Sequence, residues 1–216
     1  MSGSMTRREF VKAGAVLGAG VALGASVGCS AASSEGDTPV ETPSTTYGGG
    51  AAVGKRILVG YATGKGSTVG VAEAIGKTLG ERGHSVDVKP MKDRPSLSGY
   101  DAVVLGSAVN GGKWLPEAAS FVEANKKALS NVPVAVFCVH AMNFGDEPKP
   151  TKRRLAYLND VRALVTPCDE AFFGGVAPLG DDTSFILRAA FKAFGGEAGD
   201  TRDWDAIRAW AEQVPV

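Results

Sequence analysis

Tyr61-Ala62-Thr63-Gly64-Lys65-Gly66-Ser67-Thr68 decides how this chain folds. It follows an aliphatic run, Ile57-Leu58-Val59, and precedes an apolar pattern of helical spacing that begins near Thr68. A buried strand, a turn rich in hydroxyls and glycine, and a helix start, in that order, build an anion cradle. Backbone N–H groups and the positive end of the helix dipole converge there. The hydroxyls of Thr63, Ser67 and Thr68 add donors, so the expected ligand is a phosphate.

Two common phosphate motifs fail on spacing. The triphosphate loop needs G-x-x-x-x-G-K-[ST], but Gly60 and Gly64 are separated by three residues, not four, and Gly66, not a hydroxyl, follows Lys65. The dinucleotide fingerprint G-x-G-x-x-G is missed because Gly64-Lys65-Gly66 meets its third glycine, Gly70, one residue late. A loop in which hydroxyls and amides wrap a terminal monophosphate remains.

Outward from this loop, strand and helix patterns alternate. Arg56–Tyr61 reads as a buried strand and Thr68–Arg82 as a helix with Val71, Ala72, Ile75 and Leu79 on one face. Ser85–Lys89 alternates as a short strand, and Ala102–Gly106 is wholly apolar. Pro116–Leu129 is helical, with proline suited to the first turn. Val132–Val139 is a long strand with Pro133 near its start, Thr151–Val165 an amphipathic helix, and Phe172–Val176 a fifth strand. Ser184–Phe194 and Trp204–Val214 are two more helices; the first is expected to pack its apolar side on the domain. The pattern predicts an α/β fold with a doubly wound parallel sheet covered on both faces. Ligands in such sheets sit beyond the carboxyl ends of the strands. The loops that matter are therefore Ala62–Ser67, Ser107–Trp114 and His140–Asp146.

The N-terminus reads differently. Thr6-Arg7-Arg8-Glu9-Phe10-Val11-Lys12, then an uncharged run from Ala13 to Gly28, resembles a twin-arginine signal, whose route exports folded proteins. Ser26-Val27-Gly28-Cys29 resembles a lipobox with Ser26 where Leu is usual, which would make Cys29 the site of a lipid anchor; the other reading is a small-residue cleavage region. Residues 31–54, rich in Ser, Thr, Pro, Gly and acid, read as a disordered linker. Residues 1–30, 31–54 and 55–216 are thus signal, tether and domain, and the protein is expected outside the cytoplasmic membrane of a bacterium, held at the membrane surface if Cys29 is acylated.

Composition narrows the chemistry. Lys and Arg number 23 against 23 Asp and Glu, and no basic cluster is dense enough for nucleic acid. Two histidines, His84 and His140, and three cysteines form no metal-ligand or hydrolytic spacing. Cys138 lies in an apolar strand pattern, and no pairing with Cys168 is predicted.

The loop aromatic-x-Thr-x-x-Gly-x-Thr, present as Tyr61, Thr63, Gly66 and Thr68, resembles that of the flavodoxin-like family. It is similar in particular to the branch of the menaquinone-dependent protoporphyrinogen oxidase. Tyr100-Asp101-Ala102-Val103-Val104-Leu105-Gly106-Ser107-Ala108 resembles that branch's third strand and flavin loop; Gly195-Gly196-Glu197 and Asp203-Trp204 resemble its segment before the last helix. The resemblance implies five parallel strands in the order 2-1-3-4-5 and an FMN cofactor. Its phosphate would sit on Thr63, Gly64, Lys65, Gly66, Ser67 and Thr68. Its ring would lie between Ser107, Ala108, Val109, Asn110, Gly111 and Gly112 on one side and His140, Ala141, Met142, Asn143 and Phe144 on the other. Phe144 or Trp114 is a candidate to stack on it. Three functions stay open: an exported electron-transfer flavodoxin with a redox partner protein or quinone, an FMN- and quinone-dependent oxidoreductase, and a flavin-free binding module.

Overall fold

The computed structural model describes residues 40–49, 54–177, 179, 183–193 and 195–216. The segment read as a twin-arginine signal, Cys29, and residues 31–39 and 50–53 of the stretch read as a linker lie outside the described residues. In chain order the elements are β1 (Thr45–Tyr47), β2 (Arg56–Ala62), α1 (Ser67–Glu81), β3 (Ser85–Pro90), β4 (Ala102–Asn110) and β5 (Lys113–Trp114). They continue as α2 (Pro116–Leu129), β6 (Val134–His140), α3 (Pro148–Leu155), α4 (Asn159–Arg162) and β7 (Asp169–Gly174). β8 (Val176–Ala177), α5 (Phe185–Ala193), β9 (Gly199–Asp200) and α6 (Trp204–Gln213) complete them.

The sheet runs β1-β3-β2-β4-β6-β7, and β3, β2, β4, β6 and β7 pair in parallel. Counting the parallel strands alone, this is the expected order 2-1-3-4-5. β2 and β6 are buried from Ile57 and Val134 onward, and β4 from Ala102 to Ser107, because helices cover both faces. On one face, Val71, Ile75 and Leu79 of α1 and Ile207 and Ala211 of α6 pack on Ile57, Val59, Val104, Phe137 and Phe173. On the other, Ala118, Phe121 and Val122 of α2, with Tyr157, Leu158 and Val161, pack on Leu58, Val103, Leu105 and Val136. Winding to both sides of the central strand leaves a crevice between the loops that follow β2 and β4.

Four expectations change. Thr45–Tyr47, inside the segment read as linker, is an antiparallel edge strand on β3, with Thr45 opposite Val88 and Tyr47 opposite Val86. Glycines admit it: Cβ atoms at Gly76 and Gly80 of α1 would stand 3.2 Å and 2.9 Å from Tyr47. The Tyr61 hydroxyl then donates to the Pro43 carbonyl at 2.8 Å, so this segment also crosses the end of β2. β4 outruns the expected Ala102–Gly106 and turns back through Gly111-Gly112 into β5. Both glycines have positive φ, 59° and 80°, as a two-residue hairpin turn requires. The helix expected over 151–165 is three pieces, because a 3-10 turn at Ala156–Leu158 drives Tyr157 and Leu158 inward together. Finally, α5 lays only part of its apolar side on the domain: Phe191 is half-buried, but Phe185, Ile186 and Leu187 are 84%, 79% and 56% exposed.

Candidate functional site

The loops after β2, β4 and β6 enclose a cleft of about 710 Å³, within the range of small-molecule and cofactor sites. Gly64, Lys65 and Ser67 line one end, Ala108 to Gly112 one wall and His140 to Asn143 the other.

The first loop is set by its glycine and threonines. Gly66 has φ 89°, and its N–H donates to Thr63 Oγ1 at 2.9 Å, curling the backbone before α1. No side chain caps the N-terminus of α1, so that end presents its dipole and amides to the cleft. Thr68, on the first turn, is fully buried and its Oγ1 has no partner. Leaving a buried hydroxyl unsatisfied costs about 1–3 kcal/mol, which an acceptor oxygen held at this turn would recover. Thr63 and Gly66 shape the loop, and neither they nor Thr68 line the cleft.

In the second loop, Ser107 is buried and engaged in holding the chain. Its Oγ accepts from the Leu115 N–H at 3.0 Å and donates to the Ala108 carbonyl at 2.8 Å, which ties the β4–β5 hairpin shut. Trp114 is no stacking partner: it is buried, and its Nε1 donates to Cys138 Sγ at 3.1 Å. Burial pushes the Cys138 thiol up to about 12, so it stays a neutral core group. Gly111 and Gly112 stand at the turn with open space where a Cβ would be.

The third loop is held in an uncommon conformation. Asn143 has φ 64°, a left-handed geometry that costs little for Asn, and three bonds fix it. Its N–H donates to Gly195 O at 2.7 Å, its carbonyl accepts from Arg154 Nη1 at 2.9 Å, and its side-chain amide donates to the Tyr157 hydroxyl. Tyr157 in turn donates to Met142 O at 3.2 Å. Phe144 lies outside the cleft lining, its ring 4.9 Å from that of His140.

His140 is buried between Phe144 and Tyr157, and its Nδ1 has no partner. Burial pulls its pKa down to about 4; a hydrogen bond to the Met142 backbone works against this and Arg154 works with it. The imidazole is therefore neutral at physiological pH. A histidine with its folded pKa below its unfolded value of 6.5 leaves stability intact above about pH 6.5 and loses it as pH falls toward 4. Denaturant unfolding should show a loss of about 2–3 kcal/mol across that window. His140→Gln should flatten most of that slope; an unchanged slope would assign it to other groups.

Five cleft residues escaped the sequence reading: Leu115, Val139, Tyr157, Val176 and Phe191. Phe191 is the one with a local signal, since it is a large apolar residue of the helix read over Ser184–Phe194. The others arrive through the hairpin, the tight turn and the end of the sheet.

A family model described as a flavodoxin domain matches residues 58–176, a span that contains all three loops. No curated protein matches the chain. Among solved structures the chain is similar to a flavodoxin from the domain Archaea, at 16% identity over 73% of this chain and 94% of that one, with TM-score 0.45. It is similar to an oxidised flavodoxin from Bacillus cereus at 17% identity, 64% and 95% coverage and TM-score 0.42. It is also similar to the rubredoxin oxygen:oxidoreductase of Desulfovibrio gigas at 15% identity, 74% of this chain but 35% of that chain, TM-score 0.44. With more than half of its length inside the family model and the five parallel strands in the order 2-1-3-4-5, this chain belongs to the flavodoxin domain family.

Proposed function

We propose that the cleft binds FMN and that the protein is an exported electron carrier. The uncapped start of α1, where Gly64, Lys65 and Ser67 line the cleft and the buried Thr68 hydroxyl on the same turn has no partner, carries this reading. The donor set fits a monophosphate ester: the hydroxyl of Ser67, backbone of Gly64 and Lys65, and the lysine charge at the rim, with the unpartnered Thr68 hydroxyl on the same turn. The walls suit a flat ring, with backbone of Ala108–Gly112 on one side and of His140–Asn143 on the other. Tyr157 and Phe191 supply aromatic surface.

FMN bound there would supply one- and two-electron redox chemistry. The chain's own part is to hold and tune. The Asn143 loop, fixed by three bonds, keeps its wall rigid. Neutral His140 adds no positive charge beside the ring. Among the described residues no group of three or more His, Cys, Asp or Glu is placed to hold a metal ion.

The twin-arginine segment supports the same reading. A non-covalent cofactor made in the cytoplasm reaches the far side of the membrane only inside a folded protein, and that is what this route carries. Cys29 would then be the lipid anchor, and a mass spectrum of the mature protein showing it unmodified would remove the anchor.

An oxidoreductase of the FMN- and quinone-dependent kind is the second reading. A shallow depression of about 360 Å³, lined by Gly112, Met142, Asn143, Arg153, Ala156 and Tyr157, adjoins the cleft and gives room for a second molecule. The two share the primary test. The purified chain should show flavin absorption bands or quench added FMN fluorescence at one equivalent; neither signal would leave the flavin-free binding module. Anaerobic turnover with a quinone and a reduced substrate would then favour the enzyme, and its absence the carrier with a protein partner.

A further inference from the structure

We propose that the first turn of α5 is a membrane-docking element that seats the rim of the cleft on an anionic lipid bilayer. Phe185, Ile186 and Leu187 are consecutive, begin the helix, and are 84%, 79% and 56% exposed. Contiguous exposed side chains of this size mark a docking surface rather than ordinary solvent contact. None of the nine residues of α5 is buried, and no described helix is long and apolar enough to cross a membrane. An apolar wedge one turn long is suited to the boundary between headgroups and acyl chains.

Position and charge select a bilayer. Phe191, on the same helix, lines the cleft, so the wedge lies about 6–9 Å along the helix axis from its mouth. The bridge between Met142 and Gly196 ties the end of this segment to the third loop. Arg153 flanks that loop from the other side. Lys192 on α5 and Lys149, Lys152 and Arg153 on α3 are all exposed, which suits anionic headgroups. Asp146 and Glu147 are the acids at the start of α3, and Asp146 is held 3.5 Å from Arg154.

The third support is where the chain enters. Val40 lies beside Gly66, its Cγ1 3.6 Å from the place of a Cβ there, at the cleft end of the sheet. Ten residues separate it from Cys29, about 40 Å at full stretch. A lipid on Cys29 would therefore hold Val40 within about 40 Å of the surface. Only this support rests on the proposed anchor, and none rests on flavin.

The test uses the full chain with Ile186→Trp, and Lys127→Trp on the far end of α2 as the control. Vesicles of phosphatidylcholine and phosphatidylglycerol carry bromine on their acyl chains. Emission from Ile186→Trp should fall at least twofold more than from Lys127→Trp, and less so in phosphatidylcholine alone. The triple variant Phe185→Ser, Ile186→Ser, Leu187→Ser should lower vesicle binding at least tenfold at unchanged thermal stability. Equal quenching at both positions would overturn the proposal, because residues 1–39 alone would then be holding the membrane. So would a triple variant that loses self-association while binding vesicles like the parent, since the wedge would then seat a second copy. Neither readout involves flavin, so a failure to bind FMN is seen separately.

Discussion

Gly106→Val should cost the chain about 5 kcal/mol of stability. Gly106 sits in β4 directly opposite Phe137 of β6, and the Phe137 ring folds back over it. A Cβ at Gly106 would stand 2.0 Å from that ring, far inside van der Waals contact. The ring cannot withdraw, since Phe137 is fully buried with Phe173 at 6.2 Å and Trp210 at 6.4 Å. Overpacking usually costs about 1–3 kcal/mol, and a branched side chain forced against a clamped ring exceeds that range, to about 5 kcal/mol. That is a large share of the stability of a domain this size. Denaturant melts of Gly106→Val and of Gly106→Val with Phe137→Ala measure it. The double variant should regain part of the loss despite its own cavity; no recovery would show that the ring is not what the glycine accommodates.

Ser67→Asp should abolish FMN binding and leave the fold intact. Ser67 is the first residue of α1 and lines the end of the cleft where the phosphate is proposed to sit. A carboxylate in the first turn of a helix favours the helix by about 0.3–1 kcal/mol. The same charge within about 4 Å of a phosphate repels it by about 4 kcal/mol per charge pair, or roughly a thousandfold in affinity. Titration by flavin fluorescence, with thermal melts alongside, tests both signs. Riboflavin, which lacks the phosphate, serves as control: any affinity for it should change little. Undiminished FMN binding by Ser67→Asp would move the phosphate out of this loop.

Much of the fold was legible because burial on both faces writes itself as unbroken apolar runs. Ile57–Val59, Ala102–Leu105 and Val134–Val139 could be little else than central strands, and Pro116 marked the start of α2 to the residue. The loops that line the cleft follow from where those strands end. What stayed hidden depends on contacts between distant segments. Thr45-Thr46-Tyr47 has strand-favouring residue types but is only three residues long between Pro43 and Gly48; it becomes a strand because β3 offers a free edge and α1 offers two glycines under Tyr47. Tyr157 looked like one more residue of an amphipathic helix, and the tightened turn that aims it at Asn143 has no local marker. Ser107 looked like a ligand contact and is a hairpin latch. The apolar side of α5 had the spacing of a packing face, but spacing says only that residues share a side, not what lies opposite.

β1 has a consequence for how the molecule behaves in company. A parallel sheet of this order ends in open strands, and the unpaired amides and carbonyls of β3 would be a template for any passing strand. Thr45–Tyr47 occupies that edge with the chain's own backbone, and Asp87, which accepts from Thr46 and pairs with Arg56 at 3.1 Å, places charges along it. A short, polar, charged border recruits neighbours poorly. Loss of residues 40–49 would therefore show itself first as aggregation at concentrations where the parent chain stays dispersed.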